Sequence, residues 1–456
     1  MYDIVILGAG PGGYEAALRA AHLGFKVALI EREAVGGTCL NCGCIPTKTL
    51  LKSAHVMHSV QHAAEFGIAL SAAPSIDFGK VMARSQEVVQ TLRKGIHFLL
   101  QKQGVTQIAG TGKLVSPTAV QVQATDGSTQ LVEAQRIIIA TGARPRSIPA
   151  FPIDEKTVIS SRQALNISEL PSTMVVIGSG AIGCEMAYFY AAMGVQVTLV
   201  EALPNIAPLC DVEVSRQLDR SLRKAGINTI TAAQVQRISP EGAGCSVYVA
   251  SKKGDLVLPA DLVLSAVGIQ ANIDGIGLEE IGIITERGKI KVDSNYCTNI
   301  AGVLAIGDVI ETPALAHVAT AEGVLCVERI AGLPAPDINY NAIPSCIYTT
   351  PEVAWVGLTE EAAAQKGTAI KVAKASYLAS GKANSSGARD GFVKLIFAAD
   401  TLQLLGAHCI GEHVTELLGE LTLALTLRTT ASQIAQTIHA HPTMYEAIRE
   451  AAASVA

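Results

Sequence analysis

Three cysteines crowd into one short stretch, "GGTCLNCGCIPTK", residues 36–48. Cys39 and Cys42 form a C-x-x-C, Cys42 and Cys44 a C-x-C, and Cys39 and Cys44 stand five apart. Thiols this close can exchange with a disulfide, or hold a metal if further ligands join them. A zinc site would need a second cysteine or histidine cluster to complete four ligands, and the sequence offers none. The spacing by itself leaves the pairing open. Cys44 lies four residues before Lys48, so on a helix starting near Ile45 the two share a face. Pro46 suits the first turn of such a helix. A bridge between residues five apart needs an irregular turn, which Gly43 could supply.

Thiol redox chemistry needs an electron carrier, and two glycine fingerprints provide for one. "YDIVIL" reads as a buried parallel strand, followed by Gly8, Gly10 and Gly13 in G-x-G-x-x-G spacing. The helix pattern "YEAALRAAHLG" and the strand "KVALIE", ending at Glu31, come next. Gly8 allows the tight turn, Gly10 lets a pyrophosphate approach the backbone, and Gly13 permits close helix–strand packing. Glu31 can accept hydrogen bonds from a ribose. "STMVVIGSGAIGCEMAYFYAAMGVQVTLVE" repeats the unit with Gly178, Gly180, Gly183 and Glu201. From first glycine to acid the distance is 23 positions in both copies (31 − 8 and 201 − 178). Two such units imply two dinucleotides, and FAD with NAD is the pair that suits electron transfer. Glu201 favours NAD over NADP, because a 2′-phosphate would meet a carboxylate.

The chain has 456 residues, 49% hydrophobic and 16% charged, which suits several packed domains. A net charge of −5 without a Lys/Arg cluster argues against a nucleic-acid footprint. No apolar stretch is long enough to cross a bilayer. The other seven cysteines are scattered singly, as small buried apolar residues in a reducing compartment would be. "MYDIVILGAG" begins directly on a strand pattern, so the expected location is the cytoplasm.

Further along, Asp126-Gly127 marks a hairpin between alternating strands that end in Thr141-Gly142. "VLAIGDV" is a buried strand ending in Gly307-Asp308, placing a carboxylate at a ligand-binding strand end. From about residue 340 the pattern changes. "FVKLIFAADTLQLLGAHCIG" reads as antiparallel strands turning at Asp400, and "VTELLGELTLALTLRTTASQIAQTI" as helices, together a separate α+β domain.

The cysteine stretch, the double fingerprint, "ATG", "AIGDV", "IPSCIYTTPEVAWVGLTEE" and the terminal "HAHPTMYEA" together resemble the pyridine nucleotide–disulfide oxidoreductases, in order from residue 2 to about 450. The resemblance implies an α/β fold of two Rossmann-like dinucleotide-binding domains plus a C-terminal α+β dimerisation domain. The expected spans are 1–149 for FAD with the redox disulfide, 150–271 for NAD, 272–337 completing the FAD region and 338–456 for the dimer interface. The implied disulfide is Cys39–Cys44, with Cys39 exchanging with substrate, Cys44 facing the flavin and Cys42 a small apolar replacement. Lys48 is implied to pair with Glu185, and His441 with Glu446 to act as base and orienting acid. For His439 the motif leaves two roles open, packing or hydrogen bonding on one side and proton transfer on the other. Implied cofactor contacts add Thr38, Lys48, Gly112, Thr141, Gly142, Asp308, Ala314, Leu315, Ala316 and His317 for FAD, and Glu185, Val235 and Gly268 for NAD.

Within this family the chain looks most like the branch that oxidises protein-bound dihydrolipoamide with NAD. The implied partners are a second copy of the chain and a lipoyl-bearing protein of a multienzyme complex, of the 2-oxo acid, acetoin or glycine-cleavage kind. Two positions depart from the pattern: "AVGIQAN" lacks a common arginine, and Val318 stands where lysine is common. The alternative is an NAD(P)H-dependent reductase of a small soluble disulfide, against which Glu201 and the single lysine of "CIPTK" speak. A mercuric or large thioredoxin reductase would need a C-terminal cysteine pair, and the last cysteine here is Cys409.

Overall fold

The computed structural model describes residues 1–252 and 254–456. They form two compact units. The first comprises residues 1–49, 82–146 and 269–340, and the second 50–81, 147–268 and 341–456.

The first unit is built on a seven-stranded sheet. Tyr2–Leu7 pairs in parallel with Val27–Glu31 on one side and with Thr129–Ile139 on the other. Thr106–Ala109 extends one edge, and Val303–Ala305 adds to Thr129–Ile139. The long strand Thr129–Ile139 has two roles. Its far half joins the parallel ladder, while its start hairpins antiparallel with Ala119–Gln123 around Asp126-Gly127, as that turn signal predicts. Ile4, Val5, Ile6, Leu29, Ile30 and Ile138 are buried, consistent with a parallel sheet covered on both faces.

The helix after the first strand runs Pro11–His22, three residues earlier than the apolar pattern alone indicates. Proline in its first turn has the right φ and no amide hydrogen to lose. This helix packs closely on Ala316–Ile330. A Cβ at Gly12 would lie 2.9 Å from the Ala319 carbonyl oxygen, and one at Gly323 only 2.4 Å from that of Gly12. "VLAIGDV" is a shorter strand than its apolar run suggests. Val303–Ala305 pairs, then Gly307, at φ +70°, turns the chain into the short 3-10 helix Gly307–Val309.

The second unit repeats the nucleotide-binding plan. Its parallel sheet orders Asn228–Ile230, Gln196–Val200, Thr173–Ile177, Leu262–Ser265 and Val158–Ile159. Helix Ala181–Ala192 follows the central strand. A three-stranded antiparallel sheet, Ala233–Glu241, Gly244–Ser251 and Leu256–Ala260, adds to it. The C-terminal part is a five-stranded antiparallel sheet. Phe392–Ala398 and Leu404–Gly411 are its adjacent centre, turning at Asp400 as expected. Helices Val414–Thr426 and Glu446–Ala453 bury Leu417, Leu421 and Ile448 in a core with Leu395 and Phe397.

Candidate active site

The cysteine stretch folds as two helices meeting at one residue. Gly37–Cys42 is a short helix, Cys44–Gln61 a long one, and Gly43 between them leaves helical geometry at φ −146°, ψ −113°. Glycine is required there by close approach: a Cβ would sit 2.8 Å from the Thr38 carbonyl oxygen. Thr47 restarts the ladder, its hydroxyl donating to the Gly43 carbonyl at 2.6 Å. The break anticipated at Gly43 is therefore present, and Pro46 lies in the first turn of the long helix.

This break brings Cys39 and Cys44 together. All ten cysteines are thiols in this structure, and the Cys39 and Cys44 side chains share a hydrogen bond. That bond, followed by burial, pushes the Cys39 thiol well above the usual thiol range, while the Lys48 charge opposes the rise. Cys39 is half-buried and Cys44 more exposed. Among the described residues no group of three or more His, Cys, Asp or Glu side chains is placed to hold a metal.

Two residues that sequence reasoning passed over hold this corner. The Asn41 amide donates to the Val35 and Gly37 carbonyls at 2.9 Å each. Its oxygen accepts from Arg93 Nε and Nη2 at 2.9 and 2.6 Å. Arg93 lies on helix Phe78–Lys102, 52 residues away, and no local pattern marks it.

The two fingerprints fit dinucleotides by the same physical tests. Gly8 and Gly178 have φ +103° and +93°, and a Cβ on either would strike the carbonyl of Ala140 or Ala266 within 2.5 Å. A Cβ at Gly13 or Gly183 would lie 1.9 Å from the carbonyl oxygen of Gly8 or Gly178. Gly10 and Gly180 are different. A Cβ at Gly180 meets nothing within 4 Å, and at Gly10 only Gly37 Cα at 4.0 Å. The protein does not itself need glycine at these two positions; an approaching pyrophosphate does. Each helix then points its N-terminal amides at that space.

The acids match as well. Glu31 accepts from the Ala9 and Glu33 amides at 2.7 and 2.8 Å, one on each oxygen. Glu201 accepts from the Ser179 amide and hydroxyl at 2.9 and 2.6 Å and from the Leu203 amide at 2.8 Å. Both carboxylates are aimed by backbone and keep a lone pair for a ribose hydroxyl. Beside Glu31 a cleft is lined by Gly8, Gly112, Thr141, Arg144 and Asn272. The Thr141 hydroxyl donates to the Asn272 carbonyl at 2.7 Å, and Arg144 binds both Asn272 and Asp274. Arg144, Asn272 and Asp274 are residues the motifs did not flag.

Asp308 sits in the turn after Gly307. Burial pushes its carboxyl up, and the Lys289 charge opposes this. Behind it Glu322, fully buried, accepts from the Gly307 amide at 2.6 Å and the Tyr340 hydroxyl at 2.8 Å. Ala314, Leu315, Ala316 and His317 enter helix Ala316–Ile330, with Leu315 its N-cap. Thr38 lies in the first turn of helix Gly37–Cys42, and Gly142 has φ +67°. Together with Cys39, Cys44 and Lys48, all these residues fall in the first unit.

The second unit holds the other group. Glu185 is buried on helix Ala181–Ala192 and accepts from the Tyr348 amide at 3.0 Å. Val235 is buried on strand Ala233–Glu241, and Gly268 takes φ +108° with open space around it. Near the terminus, His441 Nδ1 lies 2.9 Å from Glu446 Oε1. The Thr443 amide donates to the other oxygen at 3.0 Å. A carboxylate only accepts, so Nδ1 carries the proton and Nε2 presents its lone pair. The His441 side chain is 77% exposed. His439 is buried instead, 2.9 Å from Glu420 and stacked on Tyr445. Of the two roles the sequence left open, these contacts fit packing and hydrogen bonding.

Two dinucleotide folds on one chain, a close dithiol and a histidine–carboxylate pair define a flavoprotein of the dithiol–disulfide type. Residues 2–323 match the family model described as pyridine nucleotide-disulphide oxidoreductase, and 343–452 the dimerisation domain of that name. The chain belongs to this family, with FAD and NAD as its cofactors. It is similar to the dihydrolipoyl dehydrogenase of Zymomonas mobilis, 45% identical over 98% of this chain and 97% of that one. The dihydrolipoyl dehydrogenase of Chlorobaculum tepidum is 44% identical, over 99% and 96%. Among solved structures, LpdA of Mycobacterium tuberculosis superposes with a TM-score of 0.93 at 29% identity, covering 100% of both chains.

Proposed function

We propose that this chain oxidises protein-bound dihydrolipoamide to lipoamide and reduces NAD+. The observation that carries the reading is the shared hydrogen bond of Cys39 and Cys44 across the helix break, in the unit that bears the FAD fingerprint. The relatives named above as dihydrolipoyl dehydrogenases support the substrate.

In the oxidised form Cys39 and Cys44 make the redox disulfide. A substrate thiolate attacks Cys39 Sγ, and the Cys39–Cys44 bond breaks with the electron pair on Cys44. His441 Nε2 takes the proton of the second substrate thiol, with the imidazolium held by Glu446. That thiolate then attacks the substrate sulfur joined to Cys39, closing lipoamide and freeing Cys39. Lys48 favours the thiolate form of the pair by its charge. Bound FAD supplies the acceptor for the dithiol's electron pair and the hydride donor for NAD+.

The domain division proposed is 1–149 for FAD, 150–271 for NAD, 272–337 completing the FAD region and 338–456 for the interface. The homodimer uses this last part, where Leu423, Leu427 and Ile438 are exposed apolar side chains, Ile438 to 96%. By family resemblance each His441 serves the disulfide of the other subunit. The lipoyl group arrives on a protein of a multienzyme complex, and the proposed location is the cytoplasm. No helix among the described residues is long and apolar enough to cross a membrane.

The test is an assay of the purified protein with dihydrolipoamide and NAD+, beside NADPH with glutathione disulfide. Turnover is expected in the first assay. Faster turnover in the second would replace this reading with a soluble-disulfide reductase.

A further inference from the structure

The mechanism leaves Cys42 unused, although it is the third thiol of the stretch. We propose that Cys42 is an off-pathway exchange thiol that isomerises the redox disulfide into a Cys39–Cys42 bridge. This rests on the reading of Cys39–Cys44 as the redox pair.

The helix break places Cys39 between two partners. Cys44 reaches it across Gly43, through the shared hydrogen bond. Cys42 reaches it along the helix: Gly37–Cys42 carries Cys39 and Cys42 at positions i and i+3, on one face. Such residues have Cβ atoms about 5–6 Å apart. A disulfide needs roughly 3.5–4.5 Å, so a closure of about 1–2 Å is required. The helix end can provide it, because Cys42 is the last helical residue before Gly43 departs from helical geometry. Meanwhile Asn41, bonded to Val35, Gly37 and Arg93, holds the preceding turn in place. Cys42 is half-buried, in contrast to the deeply buried Cys184, Cys326 and Cys409.

The exchange balances without an outside oxidant. The Cys42 thiolate attacks Cys39 Sγ of the Cys39–Cys44 disulfide. The Cys39–Cys42 bond forms, the Cys39–Cys44 bond breaks, and the electron pair leaves on Cys44 as thiolate. The proton released by Cys42 is the one Cys44 can later regain. The product is still oxidised, but its disulfide no longer includes Cys44. Attack by Cys44 on Cys39 restores the working pair. The isomer is therefore a reversible resting form of the oxidised enzyme.

Residues 33–48 form one tryptic peptide, so the location of the free thiol reports the bridge. The holoenzyme, oxidised with excess lipoamide, is quenched in acid, denatured and labelled with a maleimide. It is then reduced and labelled with a second reagent. Fragmentation of the peptide assigns each label. The expected result is two populations, one with the first label on Cys42 and one with it on Cys44. The Cys44-labelled population should vanish in Cys42→Val and Cys42→Ser, and both variants should keep dihydrolipoamide turnover within about twofold of the parent, as an off-pathway thiol requires. First label on Cys42 alone, with Cys44 never labelled, overturns the proposal and leaves the Cys39–Cys44 mechanism standing. First label on Cys44 alone in fully active enzyme, with both variants inactive, overturns the Cys39–Cys44 reading itself.

Discussion

His441 makes the sharpest residue-scale prediction. Its Nε2 is free because Nδ1 is committed to Glu446. His441→Gln should lower dihydrolipoamide oxidation by roughly 10²-fold or more, the scale of a lost general base. NADH oxidation with an artificial electron acceptor, which needs no substrate thiol, should survive far better. Equal loss in both assays would make His441 a folding residue. The Glu446 carboxyl is held below the usual carboxylate range, first by the hydrogen bond from His441 and then by the Thr443 amide. A depressed carboxyl contributes stability that is present above its unfolded pKa, about 4.3, and is lost as pH falls through the lower folded value. Glu446→Gln should therefore remove part of the acid limb of an unfolding-against-pH curve. An acid limb unchanged by the substitution would show that the carboxylate is not engaged in solution.

At the scale of elements, the two strand–glycine–helix units separate glycines needed by the fold from glycines needed by the ligand. Gly13→Ala drives a methyl into the Gly8 carbonyl, a backbone atom that cannot step aside. Overpacking of this kind costs about 1–3 kcal/mol or more, so the purified variant should be poorly folded as well as FAD-depleted. Gly10→Ala meets no protein atom closer than 4.0 Å. It should fold, with circular dichroism like the parent, and lose FAD. Gly180→Ala meets nothing within 4 Å, so it should stay yellow and instead show a raised KM for NAD. If Gly10→Ala retains FAD as tightly as the parent, the pyrophosphate does not pass that glycine.

Across the whole molecule, a buried ion cluster ties sequence-distant parts of the second unit. Lys394, on strand Phe392–Ala398, reaches both Asp211 oxygens at 2.9 Å and also pairs with Glu360. Burial alone would lower the Lys394 pKa, but the bonds to Glu360 and Asp211 outweigh it and raise it. Burial alone would raise that of Asp211, and Lys394 outweighs it there, lowering it. The Asp211 contribution is present above about pH 3.9 and lost as pH falls through its depressed value. The Lys394 contribution is full below about pH 10.4 and lost as pH rises through its raised value. Lys394→Met leaves a buried carboxylate unpaired and should cost about 3–5 kcal/mol in urea unfolding near neutral pH. A cost below about 1 kcal/mol would mean that water already reaches the pair. The dimer makes a separate prediction. Cys44→Ser and His441→Gln subunits, each inactive alone, should regain about a quarter of parental activity when unfolded together and reassembled one to one, if each base serves the other subunit. No recovery would place base and disulfide on the same chain.

Much of this was legible in order of residues because the governing interactions are local. The turn at Gly8, the acid 23 positions on, the hairpin at Asp126-Gly127 and the strands flanking Asp400 depend on neighbours along the chain. Backbone sterics and period-two or helical patterning dictate such features. His441 and Glu446 stand five positions apart, yet their pairing was implied by the resemblance of the whole terminal motif, because a histidine before proline on its own reads as a surface or helix-end residue. What the sequence could not show are groups whose partners are far away in the chain. Arg93 clamps Asn41 across 52 residues, Asn272 meets Thr141 across 131, and Lys394 meets Asp211 across 183. No periodicity records such pairings, because they arise only when packed elements bring side chains together and burial leaves their polar groups no water to bond. The cysteines lie between these cases. Their spacing announced thiol chemistry and left three pairings open. The tertiary fold, by breaking the helix at Gly43, brought Cys39 to Cys44 and kept Cys42 on the same helical face, one turn away.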